Sequence, residues 1–178
     1  YAEGSKDYAV NFAGLTQRAG NFLVAREKID NFSWDMVKGK NVLGGRKGGM
    51  PQMVLEYILK ANNIDPASDL SIDQSVDFGL TAGAFSGNTE YDFTVEFEPG
   101  ATSLEKEGKG YVVASLGVDS GYVPYTAYSA KKSYIEKNPE IIKDFTSAIQ
   151  KGLDYVNSHS SAEIAKVIAP QFEDTDID

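Results

Sequence analysis

The sequence predicts an α/β fold built around a mostly parallel β-sheet. Short apolar runs with strand character alternate along the chain with segments of helical periodicity, which is the pattern of strand–helix–strand units. A glycine-rich junction, residues 44–49, joins a strand-like run directly to an amphipathic helix, as is common at the ligand-binding edge of such sheets. The 178 residues of the chain are enough to bury a hydrophobic core.

The amino-terminal region predicts a β-hairpin. Residues 8–13 and 22–25 are apolar runs typical of strands, and residues 17–21 have the composition of the turn between them. Residues 28–38 are expected to form a loop with a short helical turn. The strand at residues 41–43 then leads into the glycine-rich junction.

The clearest helix of the first half begins at this junction. Between residues 51 and 63 the apolar side chains recur at helical spacing, and they are Met53, Val54, Tyr57, Ile58 and Ala61. Pro51 suits the first helical position, where its missing N–H costs nothing. Pro66 marks the end, because the residue before a proline is pushed out of helical geometry.

The rest of the chain continues the alternation of strands and helices. Asn138 and Pro139 have the character of the cap and first residue of a long helix, and Ser160 with Glu163 has the spacing of a capping box. We predict strands at residues 70–76, 91–97, 111–116 and 125–130, and helices at residues 79–86, 101–106, 139–157 and 160–169.

Composition excludes several classes of function. The formal net charge of −9 repels phosphate backbones, so no nucleic-acid partner is expected. The absence of cysteine removes disulfides, thiolate catalysis and zinc–cysteine sites. The single histidine, His159, argues against a Ser–His–Asp arrangement, and no metal site or cofactor is expected. Hydrophobic residues make up 42% of the chain, and no apolar run approaches the ~20 residues that a membrane span requires.

The glycine-rich junction is a candidate ligand-binding site. Glycines let backbone N–H groups approach a ligand closely, and the amides and dipole at a helix start favour an anionic or polar acceptor group. The candidate residues are Gly48, Gly49, Met50 and Gln52. Their spacing matches neither the P-loop nor the dinucleotide fingerprint, which disfavours nucleotides. A simple turn without a ligand is the alternative.

Several short motifs in a fixed order resemble one protein family. The chain resembles the solute-binding proteins of bacterial ABC importers, in particular the group that captures sulfonates, nitrate or the pyrimidine precursor of thiamine. Each motif is weak alone, and their order is the specific part. They are Leu15-Thr16-Gln17-Arg18, Phe22-Leu23-Val24-Ala25-Arg26, Gly39-Lys40, Gly48-Gly49-Met50-Pro51, Phe97-Glu98-Pro99 and Tyr134-Ile135-Glu136-Lys137-Asn138-Pro139-Glu140.

The resemblance implies a type II periplasmic-binding-protein fold, in which two lobes joined by crossover strands hold a ligand between them. We expect residues 28–128 to form the second lobe. Residues 1–27 would be a crossover hairpin and remnant of the first lobe, and residues 129–178 the return crossover and first-lobe helices. The chain is then expected to be a fragment that binds ligand weakly alone and self-associates, with an extracytoplasmic, periplasmic or lipid-anchored location in the full protein.

Two further groups of residues are candidates for ligand contact. Glu98 could accept hydrogen bonds from a ligand amine, although a solvated or helix-capping carboxylate is equally expected, and Phe97 beside it more often packs than stacks. Gln17 and Arg18 lie near the first crossover and Tyr122 and Tyr125 near the second, where an arginine could pair with an anion and tyrosines could form a rim.

Three functional alternatives remain open on the sequence. The resemblance implies a small-molecule ligand and an ABC transporter permease as partners and no enzyme activity. A transcription-regulator effector domain shares this kind of fold, and a carboxylate-based hydrolase using Glu96 and Glu98 is the least favoured reading. For the ligand, the helix start favours an anionic group, whereas the acidic Glu98 favours a hydrogen-bond donor or a cation. A neutral or zwitterionic heterocycle satisfies both, so we rank a pyrimidine-like compound first and a sulfonate second.

Overall fold

The computed structural model describes residues 4–77, 79–173 and 175. The chain divides into two units, one formed by Thr16–Tyr125 and the other by Tyr1–Leu15 with Thr126–Asp178, and each is described by itself. The strands are β1 (Ala9–Thr16), β2 (Asn21–Ala25), β3 (Asn41–Leu43), β4 (Ser71–Asp73), β5 (Phe93–Phe97), β6 (Tyr111–Ser115) and β7 (Thr126–Lys131). The helices are α1 (Met50–Ala61), α2 (Thr81–Gly87), α3 (Gly100–Lys106), α4 (Leu116–Asp119), α5 (Lys132–Lys137), α6 (Pro139–Ser158) and α7 (Ser161–Ile168), with 3₁₀ turns at Trp34–Val37 and Ala169–Gln171.

The larger unit contains a mixed sheet with the strand order β4-β3-β5-β2-β6. Strand β3 runs parallel to β4 and β5, whereas β2 runs antiparallel to both of its neighbours, β5 and β6. In the part of the chain that the structure describes, β2 is therefore the one strand of this sheet that opposes the rest. The α/β fold with a mostly parallel sheet is confirmed.

The predicted amino-terminal hairpin is wrong. Strand β2 lies inside the five-stranded sheet, and β1 pairs with β7 in a separate two-stranded sheet. Leu23 and Val24, consecutive residues whose side chains point to opposite faces, are both fully buried. A strand that is apolar on both faces gains most from an interior position covered on both sides, which a hairpin cannot offer.

Two apolar clusters cover the two faces of this sheet. On one face Leu23 and Val95 pack with the buried side of α1, which contributes Val54, Leu55, Ile58 and Leu59. On the other face Val24 and Leu43 pack with Phe85 of α2 and with Ala101 and Leu104 of α3. The helices thus fix the two sides of the sheet and leave its strand ends to the loops.

One edge of the sheet gathers the loops that concern function. Strands β3 and β5 are parallel, so the glycine-rich turn after Leu43 and the Glu98 turn after Phe97 lie at the same edge. Because β2 is antiparallel to β5, its first residue, Asn21, and the preceding Gln17 and Arg18 come to this edge too. We call it the carboxyl edge.

The smaller unit is built from β1, β7 and the carboxyl-terminal helices. The ring of Phe145 on α6 packs edge-on against Phe12 of β1 and Tyr128 of β7, with centroids 5.8 and 4.9 Å apart. The predicted capping box between Ser160 and Glu163 is present at the start of α7. Within the described residues, α5, α6 and α7 contain no fully buried side chain. Apolar groups such as Val156 and Val167 are more than half exposed.

No helix among residues 4–77, 79–173 and 175 is both long enough and apolar enough to cross a membrane.

Candidate ligand-binding site

The turn between β3 and α1 depends on the small size of its glycines. A Cβ on Gly45 would lie 2.4 Å from the Cβ of Pro51, so only glycine lets the chain pass this close to the helix start. Gly48 has a positive φ of 75°, a conformation that glycine adopts without strain. The turn therefore brings main-chain groups, rather than side chains, to the first turn of α1.

Two of the main-chain amides predicted to bind a ligand already donate hydrogen bonds within the chain. The amide of Gly48 donates to Oε1 of Gln52 at 2.7 Å, and the amide of Gly49 donates to the carbonyl oxygen of Arg46 at 3.2 Å. Pro51 has no amide hydrogen. The Met50 and Gln52 amides precede the first intrahelical bond, which runs from Met53 to Gly49, and so point out of the helix start.

The side chain of Gln52 is held in place by a ladder along α1. Its Nε2 donates to Oε1 of Glu56 at 2.7 Å, and Nζ of Lys60 contacts Oε2 of the same carboxylate at 3.3 Å. The hydrogen bond from Gln52, followed by that from Lys60, lowers the pKa of Glu56. The ionised carboxylate orients the Gln52 amide so that its oxygen faces Gly48, where it occupies the position that an acceptor atom of a ligand could take.

A cavity of about 420 Å³ adjoins this turn at the carboxyl edge. It is lined by Arg46, Lys47, Gln74, Val76 and Asp77, which come from the loops that follow β3 and β4. Among the ion pairs that join described residues, none involves Arg46 or Lys47. Their charges are therefore available to a ligand.

Sequence reasoning did not select these cavity residues. Arg46 and Lys47 stand between the glycines of the junction, which was interpreted through its main chain alone. Gln74 donates from Nε2 to the carbonyl oxygen of Gly45 at 3.0 Å and joins the two loops. The adjacent cations were a usable signal, whereas the pairing of the two loops follows from the β3–β4 register and could not be read from the sequence.

Glu98 caps a helix in this structure. Its Oε2 accepts from the amide of Thr102 at 3.1 Å, and its Oε1 accepts from the Thr102 hydroxyl at 3.0 Å, so the carboxylate covers the first turn of α3. The side chain is otherwise exposed at the carboxyl edge, beside the half-buried Phe97. Contact of either residue with a ligand stays a prediction.

Glu96 has a different environment from Glu98. It is 4% exposed and accepts hydrogen bonds from the hydroxyls of Thr94 at 2.6 Å and Thr81 at 2.9 Å. Burial raises its pKa, and the two hydroxyls offset part of the effect. The buried Glu96 carboxylate joins β5 to the start of α2. Glu98 lies exposed beyond the end of β5, so one acid of the hydrolase hypothesis is buried and the other is exposed.

The structure brings Arg18 and Tyr122 together. The guanidinium carbon of Arg18 lies 4.3 Å from the centre of the Tyr122 ring, and Nη1 donates to the carbonyl oxygen of Gly117 at 2.8 Å. Tyr122 is 77% exposed, as expected of a rim aromatic. Gln17 contributes its main-chain carbonyl, which accepts from the amide of Val123 and holds the two segments side by side.

Tyr125 turns toward the core. Its ring packs on the cluster on the α1 face of the sheet, and its hydroxyl is buried without a hydrogen-bond partner in the described part of the chain. Burial raises the pKa of this hydroxyl to about 12. Tyr125 was predicted at the rim beside Tyr122. In the structure the Tyr122 side chain is exposed, whereas the Tyr125 hydroxyl is buried.

Metal-based and histidine-based chemistry find no support among the described residues. No group of three or more histidine, aspartate or glutamate side chains there is arranged to hold a metal ion. His159, the single histidine of the chain, follows α6 and stacks on the ring of Tyr155 at 3.7 Å, with Nδ1 against the Tyr155 carbonyl.

Comparison with known proteins places the chain in a family. The family model described as NMT1-like matches residues 13–169. YtlA of Bacillus subtilis (strain 168), whose name describes it as a candidate binding protein, is 49% identical over 177 residues. That match covers 99% of this chain and 53% of the relative, so the chain spans about half the length of this relative.

Solved structures share the fold at low sequence identity. The alkanesulfonate-binding protein SsuA of Xanthomonas axonopodis pv. citri, bound to MOPS, matches with a TM-score of 0.77 at 14% identity over 95% of this chain and 56% of its own. The periplasmic aliphatic sulphonate-binding protein SsuA of Escherichia coli matches with a TM-score of 0.69 at 17% identity over 84% and 50%.

Proposed function

Because the chain belongs to the NMT1-like family, we propose that the protein is the extracytoplasmic solute-binding component of a bacterial ABC importer. The observation that carries this proposal is the cationic cavity beside the start of α1, at the carboxyl edge of the sheet. In open α/β sheets this edge is the usual place for a ligand. The likeness of the fold to sulfonate-binding proteins supports the same class.

We propose an organic anion or zwitterion as the ligand, with a sulfonate as the first candidate. Arg46 and Lys47 supply positive charge, and the outward amides of Met50 and Gln52 supply hydrogen-bond donors to an oxyanion. Asp77 on the same cavity can balance a cationic group of a zwitterion. These side chains reverse the ranking that the sequence alone suggested.

The pyrimidine precursor of thiamine is the second candidate. The exposed carboxylate of Glu98 can accept from a ring amine while it caps α3, and Tyr122 offers an exposed aromatic face to a flat ring. These residues lie at the same edge of the sheet as the cationic cavity.

A binding role is proposed in preference to catalysis. The carboxylate pair of the hydrolase hypothesis is divided between a buried, hydrogen-bonded Glu96 and a helix-capping Glu98. Two acids that act together in hydrolysis have to face one reacting bond.

The proposed partners follow from the same role. The importer's permease would receive the ligand, and a lipid anchor or signal peptide would be found in the upstream sequence. The exposed apolar face of α6 and α7, with Val156 and Val167, is expected to be covered by the remainder of a protein as long as the relatives. In the 178-residue chain alone we expect this face to cause self-association, which sedimentation would detect.

Calorimetry on the full-length protein tests the function. We expect MOPS, as a zwitterionic sulfonate, to bind, and the double variant Arg46→Ala/Lys47→Ala to weaken it by about tenfold or more, because charge-assisted hydrogen bonds are lost. Lys28→Ala, at the opposite edge of the sheet, is the control and should leave the affinity unchanged. Binding of neither MOPS nor the pyrimidine precursor would contradict the proposal.

A further inference from the structure

Asn21 is a polar residue that the fold buries without pairing it. Its side chain is 0% exposed, and in the described part of the chain neither Nδ2 nor Oδ1 has a hydrogen-bond partner. A primary amide removed from water without compensation costs free energy, so native proteins rarely retain one. The unpaired state of Asn21 therefore calls for a physical reason.

Asn21 lies at the edge where the proposed ligand binds. It is the first residue of β2 and lies opposite Phe97 in the β2–β5 register. Phe97 directly precedes Glu98 in the chain. Strand alternation places its side chain on the same face as Leu23, which packs against α1. Helix α1 begins at this edge and contacts α4, which follows β6 there.

The neighbouring strand shows how this fold treats a structural polar residue. Thr94 on β5 is equally buried, and its hydroxyl donates to the Glu96 carboxylate at 2.6 Å. That pair accounts for the burial of both groups. Asn21 differs because its amide has no comparable partner in residues 4–77, 79–173 and 175.

We propose that Asn21 is a ligand-linked specificity residue whose amide is paired only in the liganded protein. The proposal rests on the function proposed above. Nδ2 would donate to an oxygen of the ligand's anionic group, beside the outward amides of Met50 and Gln52. Because Asn21 is covered in the present structure, the contact requires a side-chain movement.

This arrangement has two linked consequences. The unpaired amide destabilises the free protein, and ligand binding relieves that cost. A near-isosteric apolar residue at position 21 should then stabilise the free protein and weaken ligand binding at the same time. Replacing a residue with a purely structural role would not raise the stability of the free protein while lowering its affinity for the ligand.

The test measures thermal stability and MOPS affinity of Asn21→Leu in the full-length protein. We expect the midpoint of unfolding without MOPS to rise and the dissociation constant for MOPS to increase about tenfold. Thr94→Val is the matched control, because it removes a paired buried polar group and should lower the midpoint while Asn21→Leu raises it.

The outcomes distinguish this inference from the proposed function. Tight MOPS binding that Asn21→Leu leaves unchanged would overturn the role of Asn21 and leave the importer function standing. A lower unfolding midpoint for Asn21→Leu would also overturn it, since the amide would then be paired in the free protein. A wild-type protein that binds neither MOPS nor the pyrimidine precursor would overturn both proposals.

Discussion

Buried polar side chains in the larger unit differ in how they are paired. Thr94 and Glu96 satisfy one another, whereas the hydroxyl of Tyr125 is buried against apolar neighbours without a partner in the described residues. Since an unpaired buried group costs more than a paired one gains, such residues give the clearest mutational signals.

Tyr125→Phe is expected to raise the free energy of unfolding by about 1 kcal/mol, because it removes the buried hydroxyl and keeps the ring in the core. Urea denaturation measures the change. Tyr122→Phe is the matched control, since that ring is 77% exposed and its hydroxyl stays in water. A loss of stability in Tyr125→Phe would mean that the hydroxyl is paired.

Glu96 makes stability depend on pH. Burial raises its pKa above the ordinary value of 4.5, so the folded protein binds the proton more tightly than the unfolded chain. Its contribution is therefore most favourable below about pH 4.5 and is lost as the pH rises through the folded-state pKa.

Glu96→Gln, which stays neutral, should consequently gain stability relative to the wild type when urea denaturation is moved from about pH 4 to about pH 7.5. Thr81→Val removes one of the two hydroxyls that lower the pKa, so this variant should lose more stability than the wild type over the same rise in pH. If the stability difference between Glu96→Gln and the wild type is the same at both pH values, the pKa of Glu96 is not raised by burial.

At the scale of elements, the turn before α1 positions the site through its glycines. Gly45→Ala should destabilise the protein by about 2 kcal/mol, because the new Cβ would meet the Cβ of Pro51 at 2.4 Å. Gly83→Ala, inside α2 with nothing within 4 Å, is the control and should stabilise by about 0.5–1 kcal/mol. Equal effects in thermal unfolding would show that the turn tolerates a side chain.

Local signals predicted most of the elements. Pro51 and the apolar spacing after it located α1, and Ser160 with Glu163 located α7, because these patterns act within a few residues. Asn138 does precede α6 as predicted, yet its side chain donates to the Tyr134 carbonyl instead of capping the helix. The hairpin prediction failed because strand pairing is decided by burial on both faces, which is a tertiary property.

The site was harder to predict than the fold. The sequence selected Gly48, Gly49 and Gln52 through the helix start, but it could not show that Gln52 occupies the Gly48 amide. It offered Glu98 as a ligand acceptor or a helix cap with equal weight, and the structure shows the cap. Arg46 is a candidate because it lines a cavity, and Asn21 because of its position in the β2–β5 register. Both features depend on residues distant in the sequence.

In the molecule as a whole, the proposed ligand binds at the carboxyl edge of the five-stranded sheet. Another cavity of the larger unit, of about 280 Å³, lies where β2 ends and β5 begins, and its lining includes Arg26, Lys28 and Lys40. Arg26 there donates to the Phe85, Asn88 and Tyr91 carbonyls. Lys28 pairs with Asp30 and Lys40 with Asp92, so these three cations already have partners.

The most direct measurement is an NMR titration of the full-length protein with MOPS, following backbone amide shifts. We predict that the largest changes within this chain fall at the carboxyl edge, at residues 46–52 and 74–77 and around Asn21 and Glu98. Changes concentrated instead at residues 25–29 and 92–93, at the opposite edge, would contradict ligand binding at the carboxyl edge.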